Sequence, residues 1–189
     1  LDTEVIPSAG RVGLITIAAG NKTYAINMNQ IRSDANLMNL FKTKMERYAN
    51  RADRHLVFHN RKWDLDHLAK DAIRLFVTDS KGNVKIHDTM VVSRKMGEAG
   101  VKGEVGTSNA LGEASLRQLG KVLMKGTSGK LYDYVEDVVK RHGMSTAFLR
   151  YGASDVAATL ELFKKYYGNT NQPNLTHIEG LTPEQLKKV

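Results

Sequence analysis

Glycine recurs at every third position through the first part of GEAGVKGEVGTSNALG, residues 97–112, and this segment separates two parts of the chain with different periodicities. Before it, β-branched and apolar runs in residues 11–28 flank an Ala-Gly-Asn-Lys turn, which predicts a β-hairpin. After it, apolar residues recur at helical spacing over residues 113–168. The sequence therefore predicts an α+β fold with N-terminal hairpins and helices and a mainly α-helical C-terminal half.

The glycine segment itself is interpreted as a hinge. A dinucleotide-binding turn needs the spacing G-x-G-x-x-G, and four triplets without proline cannot hold a collagen helix. Glycine marks backbone that is mobile or turns sharply, so a connector is the favoured interpretation. The predicted organisation is an arm (residues 1–10), a mixed region (11–96), the hinge (97–112), a helical region (113–168) and a tail (169–189).

Local signals place further elements. Ser33 or Asp34 can cap a helix that runs to about residue 49, and residues 55–58 are a short extended candidate. Residues 74–78 and 84–87 flank turn residues and favour a second hairpin, while a helix continuing to residue 76 stays open. In the C-terminal half the predicted helices are 113–125, 131–141, 145–150 and 154–167, with Ser154-Asp155 as the cap of the last one.

Positive charge is concentrated in one part of the chain. The net charge is +8, and residues 32–62 contain eight basic and three acidic residues. Localised basicity points to a polyanionic partner more than to general solubility. A second basic stripe follows the predicted helix over residues 113–125 at spacings of four. The predicted nucleic-acid-binding residues are Arg47, Arg51, Arg54, Arg61, Lys62, Arg117, Lys121, Lys125 and Lys130.

Several segments of the C-terminal half resemble a known family. These are SLRQLGKVL (residues 115–123), LYDYV (131–135), RYG (150–152) and LELFKKYYGNT (160–170). They are similar to the helical core of coat proteins from flexible filamentous plant viruses, which in turn resembles nucleoproteins of segmented negative-strand RNA viruses. The resemblance implies a helical domain that holds single-stranded RNA in a basic groove, with terminal arms that link neighbouring subunits.

The favoured function is a single-stranded nucleic-acid-binding, self-assembling protein of the viral coat or nucleocapsid type. Backbone contacts without sequence preference would dominate, with aromatic residues such as Trp63 available to stack on bases. RNA is favoured over DNA, a homo-oligomer is expected, and no membrane partner is expected. No enzymatic activity, catalytic residue, cofactor or metal is predicted.

Two alternatives remain open. One is an assembly module that binds protein and no nucleic acid. The other is an enzyme acting on a phosphate-containing substrate, with His55, His59 and Asp64 or Asp66 as metal ligands or acid–base groups. The chain has no cysteine, which suits a cytoplasmic, intracellular protein or a component of a virion. Leu1 is not an initiator methionine, so whether the chain is processed from a longer precursor is left open.

Overall fold

The structure, a computed structural model, describes residues 1–6, 9–51, 53–95, 107–121 and 146–167. The predicted α+β class is confirmed. The described residues form five strands, namely β1 (Asp2–Ile6), β2 (Arg11–Ala19), β3 (Lys22–Asn27), β4 (Leu56–Phe58) and β5 (Ile86–Asp88). The helices are α1 (Met28–Arg32), α2 (Ala35–Ala49), α3 (Arg61–Lys70), α4 (Thr89–Lys95), α5 (Thr107–Leu119) and α6 (Thr146–Tyr167).

The first sheet is antiparallel, with β2 between β1 and β3. The predicted hairpin over residues 11–28 forms β2 and β3, in which Ala18 pairs with Thr23. Residues 2–6, which the sequence places in an arm, instead form strand β1, with Asp2 opposite Thr16 and Glu4 opposite Leu14. Acidic residues are depleted in strands, so the two carboxyls conceal the strand pattern.

The second sheet consists of β4 and β5, which run parallel with Leu56 opposite Ile86. The predicted second hairpin is therefore reduced to one isolated bridge, between Thr78 and Val84. The turn forms as expected, because the Asp79 carboxylate accepts hydrogen bonds from backbone N–H groups that follow it. Beyond the bridge, however, the chain leaves the turn and pairs with β4.

Helix α6 differs from the sequence prediction, which breaks it at Gly152 and begins a new helix at Ser154-Asp155. The helix is continuous from Thr146 to Tyr167. Gly152 packs directly on β2, where a Cβ atom would lie 2.9 Å from Thr16 Cγ2 and 3.2 Å from Leu14 Cδ2. Glycine at this position allows the close approach of helix and sheet and does not end the helix.

Two buried apolar clusters stabilise the described residues. The first includes Val12 and Ile15 of β2, Phe58 of β4 and Leu68 of α3. The second lies among α4, α5 and α6. The Ser93 and Tyr166 hydroxyls, 2.5 Å apart, join α4 to α6 within this second group of helices. Helix α6 therefore packs on the first sheet and on α4 and α5.

The predicted hinge is only partly described. Residues 97–106 lie outside the described residues, and residues 107–112 form the first turns of α5. Helix α5 ends at Leu119, before the predicted end at residue 125, because Gly120 adopts a left-handed conformation with φ 65°. The predicted helix 131–141 also lies outside the described residues. None of the described helices is both long and apolar enough to cross a membrane.

Candidate active site

Asp2 and Glu4 occupy alternate positions of β1, so both side chains lie on one face of the sheet. Residues directly opposite each other in an antiparallel pair share a face, and the partners here are Thr16 and Leu14. Those two residues pack against α6 at Gly152. The carboxyl groups of Asp2 and Glu4 are therefore on the face of β1 that α6 covers.

Asp64 reaches the same strand from the first turn of α3. Its Oδ1 atom accepts hydrogen bonds from the Thr3 backbone N–H at 2.9 Å and from the Thr3 hydroxyl at 2.6 Å. The Asp64 side chain is almost fully buried. The carboxylate thereby satisfies a backbone donor of β1 and is held beside Asp2 and Glu4.

The start of α3 is fixed by a carboxylate from β5. Asn60 precedes the helix in a left-handed conformation with φ 77° and makes no side-chain cap. The Asp88 carboxylate instead accepts hydrogen bonds from the N–H groups of Asn60 at 3.0 Å and Arg61 at 2.9 Å. It also accepts one from the N–H of Met90 at 2.9 Å, in the first turn of α4.

Asp155, which completes the group formed by Asp2, Glu4 and Asp64, lies buried in the middle of α6. Tyr151, four residues earlier and thus on the same face of the helix, donates a hydrogen bond from its hydroxyl to Asp155. The close packing of Gly152 on β2 brings this face of α6 onto the first sheet.

The four carboxyl groups interact electrostatically. Burial raises the pKa of Asp2, whereas the Leu1 ammonium group and, to a smaller extent, a hydrogen bond with Glu4 lower it. Burial and repulsion by Asp2 raise the pKa of Glu4 and that of Asp64 well above their usual range. Burial, followed by repulsion from Asp2, raises the pKa of Asp155 to about 7. The Leu1 ammonium group offsets part of the repulsion at Asp2 and Asp64, but one positive charge cannot compensate four ionised carboxylates. We call these four residues the carboxyl cluster.

The chemistry of the carboxyl cluster fits a divalent cation such as Mg²⁺ or Mn²⁺. Among the described residues, no three His, Cys, Asp or Glu side chains are already gathered as a metal-binding group. However, hard cations prefer carboxylate oxygens, and both Thr3 hydrogen bonds go to Oδ1 of Asp64, so neither of them occupies Oδ2. Asp2 and Glu4 are hydrogen-bonded to each other. A cation would replace the proton in that bond.

The predicted basic residues near α2 lie mostly on the surface. Arg47 is exposed in the last turn of α2. Arg51 pairs with Asp53 at 3.0 Å, and Arg54 lies 3.6 Å from the same carboxylate. The Arg54 guanidinium also lies over the ring of Tyr48. Part of the positive charge predicted for a groove is therefore balanced locally.

The remaining basic residues divide into three groups. Arg61 is buried, and its guanidinium contacts the Ile86 carbonyl oxygen, so it does not suit the wall of an open groove. Lys62 pairs with Asp66 and Lys121 with Glu161, each at 2.6 Å. The others are Arg117, which is exposed on α5, and Lys125 and Lys130, which lie outside the described residues.

The metal cluster of the enzyme alternative does not form as predicted. His55 Nδ1 lies 2.9 Å from His87 Nε2, and His59 Nδ1 lies 2.9 Å from the Thr89 hydroxyl. Asp66 is exposed and pairs with Lys62. Of the four residues in that alternative, Asp64 alone belongs to the carboxyl cluster.

The sequence interpretation missed Asp2, Glu4, Tyr151 and Asp155. A usable signal was present at the N-terminus, where two carboxyls at alternate positions precede a clear hairpin. Tyr151 and Asp155 also share a helix face at spacing i, i+4, but the assumed break at Gly152 separates them.

No protein-family model matches the sequence, and no curated protein matches it. Among solved structures, the chain is similar to the crystal structure of the Aedes aegypti Nibbler EXO domain, with a TM-score of 0.58 and 19% sequence identity. The match covers 94% of this chain and 77% of that chain. At this level of identity the likeness shows the fold.

This likeness corrects four predictions. The resemblance to viral coat proteins and nucleoproteins is wrong, because the structural neighbour is an EXO domain. The coat or nucleocapsid function and its viral associations are wrong for the same reason, and so is the prediction of no enzymatic activity. Nucleic acid in general is the one predicted partner that the likeness supports. The described residues share the fold of an EXO domain.

Proposed function

We propose that the chain is a divalent-metal-dependent exonuclease that hydrolyses phosphodiester bonds at the end of a nucleic-acid strand. The observation that carries the proposal is the carboxyl cluster, assembled from β1, α3 and α6. The name EXO of the structural neighbour denotes an exonuclease and supports the same class of reaction. The proposal therefore keeps the alternative of an enzyme that acts on a phosphate-containing substrate, but it assigns the site to the carboxyl cluster and not to His55 and His59.

The residues that would hold the cation are Asp2, Glu4, Asp64 and Asp155. A divalent cation bound there supplies Lewis acidity toward the phosphate oxygens and lowers the pKa of bound water. Thr3 holds the Asp64 carboxylate, and Tyr151 donates to that of Asp155, so two of the four carboxylates are oriented by neighbouring hydroxyls. Oriented carboxylates lose little freedom when the cation binds.

Charge elsewhere in the chain supports a polyanionic substrate. Four clustered carboxylates repel phosphate unless a cation is bound, but the chain as a whole carries +8. A net positive charge raises the rate at which a polyanion is encountered, and the effect weakens as salt rises. We keep the predicted preference for RNA over DNA, the self-association and the intracellular location as parts of the proposal, each open to measurement.

The decisive comparison is between two aspartates of α3. Asp64 belongs to the carboxyl cluster, whereas Asp66 is exposed and pairs with Lys62. We expect Asp64→Asn to lower the initial rate at least a hundredfold, because the substitution removes a charge that faces the reacting phosphate and its cation. Asp66→Asn should stay within about twofold of the unmodified protein, since surface ion pairs contribute little.

The assay uses matched single-stranded RNA and DNA oligonucleotides labelled at either end, with Mg²⁺, with Mn²⁺ or with EDTA. Shortening from one end that requires the cation supports the proposal, and the position of the label gives the direction. If no oligonucleotide is shortened, or Asp64→Asn digests as fast as Asp66→Asn, the proposal is overturned. Light scattering of the same preparation tests the predicted self-association.

A further inference from the structure

Thr16 of β2 carries a buried hydroxyl group that the packing of the fold does not require. The side chain is fully buried, and its Oγ1 atom has no hydrogen-bond partner among the described residues. Buried hydroxyls nearly always have a partner, so an unpartnered one calls for an explanation. Valine, which has the same shape, would fill this space without the polar atom.

Thr16 lies between two elements that carry members of the carboxyl cluster, β1 and α6. It lies directly opposite Asp2 across the β1–β2 ladder, so their side chains share a face at close range. On the other side it contacts α6, where a Cβ atom on Gly152 would lie 3.6 Å from Oγ1. Asp155 follows Gly152 by three residues and lies on the same side of the helix.

The other carboxylates show what this hydroxyl could do. Asp64 accepts a hydrogen bond from the Thr3 hydroxyl, and Asp155 accepts one from the Tyr151 hydroxyl. The side-chain hydrogen-bond partner of Asp2 is not a hydroxyl but another carboxyl group, that of Glu4. A carboxylate that holds a cation directs one oxygen to the metal, and its other lone pairs need donors. Thr16 is a buried donor on the same face as Asp2.

We propose that Thr16 is a positioning residue, whose hydroxyl donates a hydrogen bond to the Asp2 carboxylate when Asp2 holds a divalent cation. The inference rests on the proposed metal-dependent function and goes beyond it by assigning a role to a residue outside the carboxyl cluster. Thr16 touches neither the cation nor the substrate in this role. It fixes the orientation of the side chain that does.

The test compares Thr16→Val, which keeps the shape and removes the hydroxyl, with Thr16→Ser, which keeps the hydroxyl. Mn²⁺ binding to the full chain is measured by isothermal titration calorimetry. We expect Thr16→Val to weaken binding by about tenfold, the usual loss for a removed supporting partner, and Thr16→Ser to stay within about threefold. Ser115→Ala is the matched control, because Ser115 is a buried unpartnered hydroxyl on α5, which carries no member of the carboxyl cluster.

A second readout separates positioning from general damage. In EDTA, Thr16→Val should melt at the same temperature as the unmodified protein or about 2–4 °C higher, because it removes an unpartnered buried polar atom. Weaker Mn²⁺ binding in a protein of equal or greater stability supports the inference. Unchanged Mn²⁺ binding in Thr16→Val overturns the inference alone, as does equal weakening in Ser115→Ala. Absence of Mn²⁺ binding in the unmodified protein overturns the proposed metal site together with it.

Discussion

Asp155 shows most directly how the environment of a single residue sets the chemistry of the site. Its carboxyl is buried in α6 beside Asp2, and burial together with that neighbour raises its pKa to about 7. Without a bound cation the proton is therefore retained up to near-neutral pH. A cation must displace it, so binding becomes tighter as pH rises toward and past 7.

The same pKa predicts a pH-dependent stability. The ordinary pKa is 3.8, so Asp155 contributes stability that is complete below about pH 4 and lost as pH rises through about 7. The Asp155→Asn variant has no carboxyl group at this position and does not lose this stability. Between pH 5 and pH 8 the free energy of unfolding of the variant, minus that of the unmodified protein, should increase by on the order of 2–3 kcal/mol.

Urea unfolding in EDTA at both pH values measures this difference. His59 and His87, whose pKa values burial lowers to about 3, are present in both proteins, so their contributions cancel in the comparison. Asp66→Asn serves as the control and should follow the unmodified protein at both pH values. Parallel stability profiles for Asp155→Asn and the unmodified protein would contradict the prediction.

Residue roles were the part of the site least predictable from sequence. Asp64 is a candidate from sequence only because it lies among histidines, and the structure shows that His55 and His59 contact His87 and Thr89 instead. Asp2 and Asp155 are 153 positions apart in sequence and meet only when α6 packs on β1 and β2. Spacing within a sequence carries no signal for such a contact. Charge clustering was visible, yet it could not show that Arg61 is buried.

At the scale of elements, the contact between α6 and β2 determines where Asp155 lies. The contact depends on Gly152, since a Cβ atom there would lie 2.9 Å from a methyl group of Thr16, which is β-branched and cannot move aside easily. We expect Gly152→Ala to push the helix off the sheet. The stability should fall by about 1–3 kcal/mol, and Mn²⁺ binding should weaken as Asp155 moves away from β1.

Gly112 is the matched control for this substitution. It lies within α5, and nothing is found within 4 Å of a Cβ atom built on it. Gly112→Ala should therefore raise stability by about 0.5–1 kcal/mol through helix propensity alone and leave Mn²⁺ binding unchanged. Thermal unfolding and calorimetry of both variants make the comparison. A stable Gly152→Ala protein with normal Mn²⁺ affinity would show that the contact does not position Asp155.

Elements with strong local periodicity were predictable, namely the β2–β3 hairpin and helix α2. The failures have tertiary causes. Residues 86–88 form a strand because β4 is available as a parallel partner, not because of the turn before them. Residues 146–167 form one helix in which Gly152, the expected break, instead packs closely against β2. The division of the chain at the glycine segment stays a prediction.

At the scale of the whole molecule, net charge and the carboxyl cluster make opposing contributions to substrate binding. The inactive Asp64→Asn variant allows binding to be measured without cleavage. We expect its affinity for a fluorescent single-stranded oligonucleotide to fall at least tenfold between 50 and 200 mM salt, because binding releases counterions from the nucleic acid. Fluorescence anisotropy across a salt series measures this affinity.

The predicted binding residue Arg47 has a matched control in Arg11, which lies outside the predicted set. If Arg47 contacts a phosphate, Arg47→Ala should lower the slope of log affinity against log salt concentration by about one, whereas Arg11→Ala should leave this slope unchanged. Affinity that does not change with salt would contradict the prediction.

The Asp88 carboxylate accepts hydrogen bonds from backbone N–H groups at the starts of both α3 and α4. Helix α4 is in turn joined to α6 by the hydrogen bond between the Ser93 and Tyr166 hydroxyls. The helices that carry Asp64 and Asp155 are thus linked by polar contacts that run through Asp88, α4 and Tyr166. Since α3 and α6 each also contact β1, these links form a closed ring. Because α3 and α6 are linked at both β1 and α4, we expect a Ser93→Ala substitution to loosen the spacing of Asp64 and Asp155, which Mn²⁺ calorimetry of that variant measures.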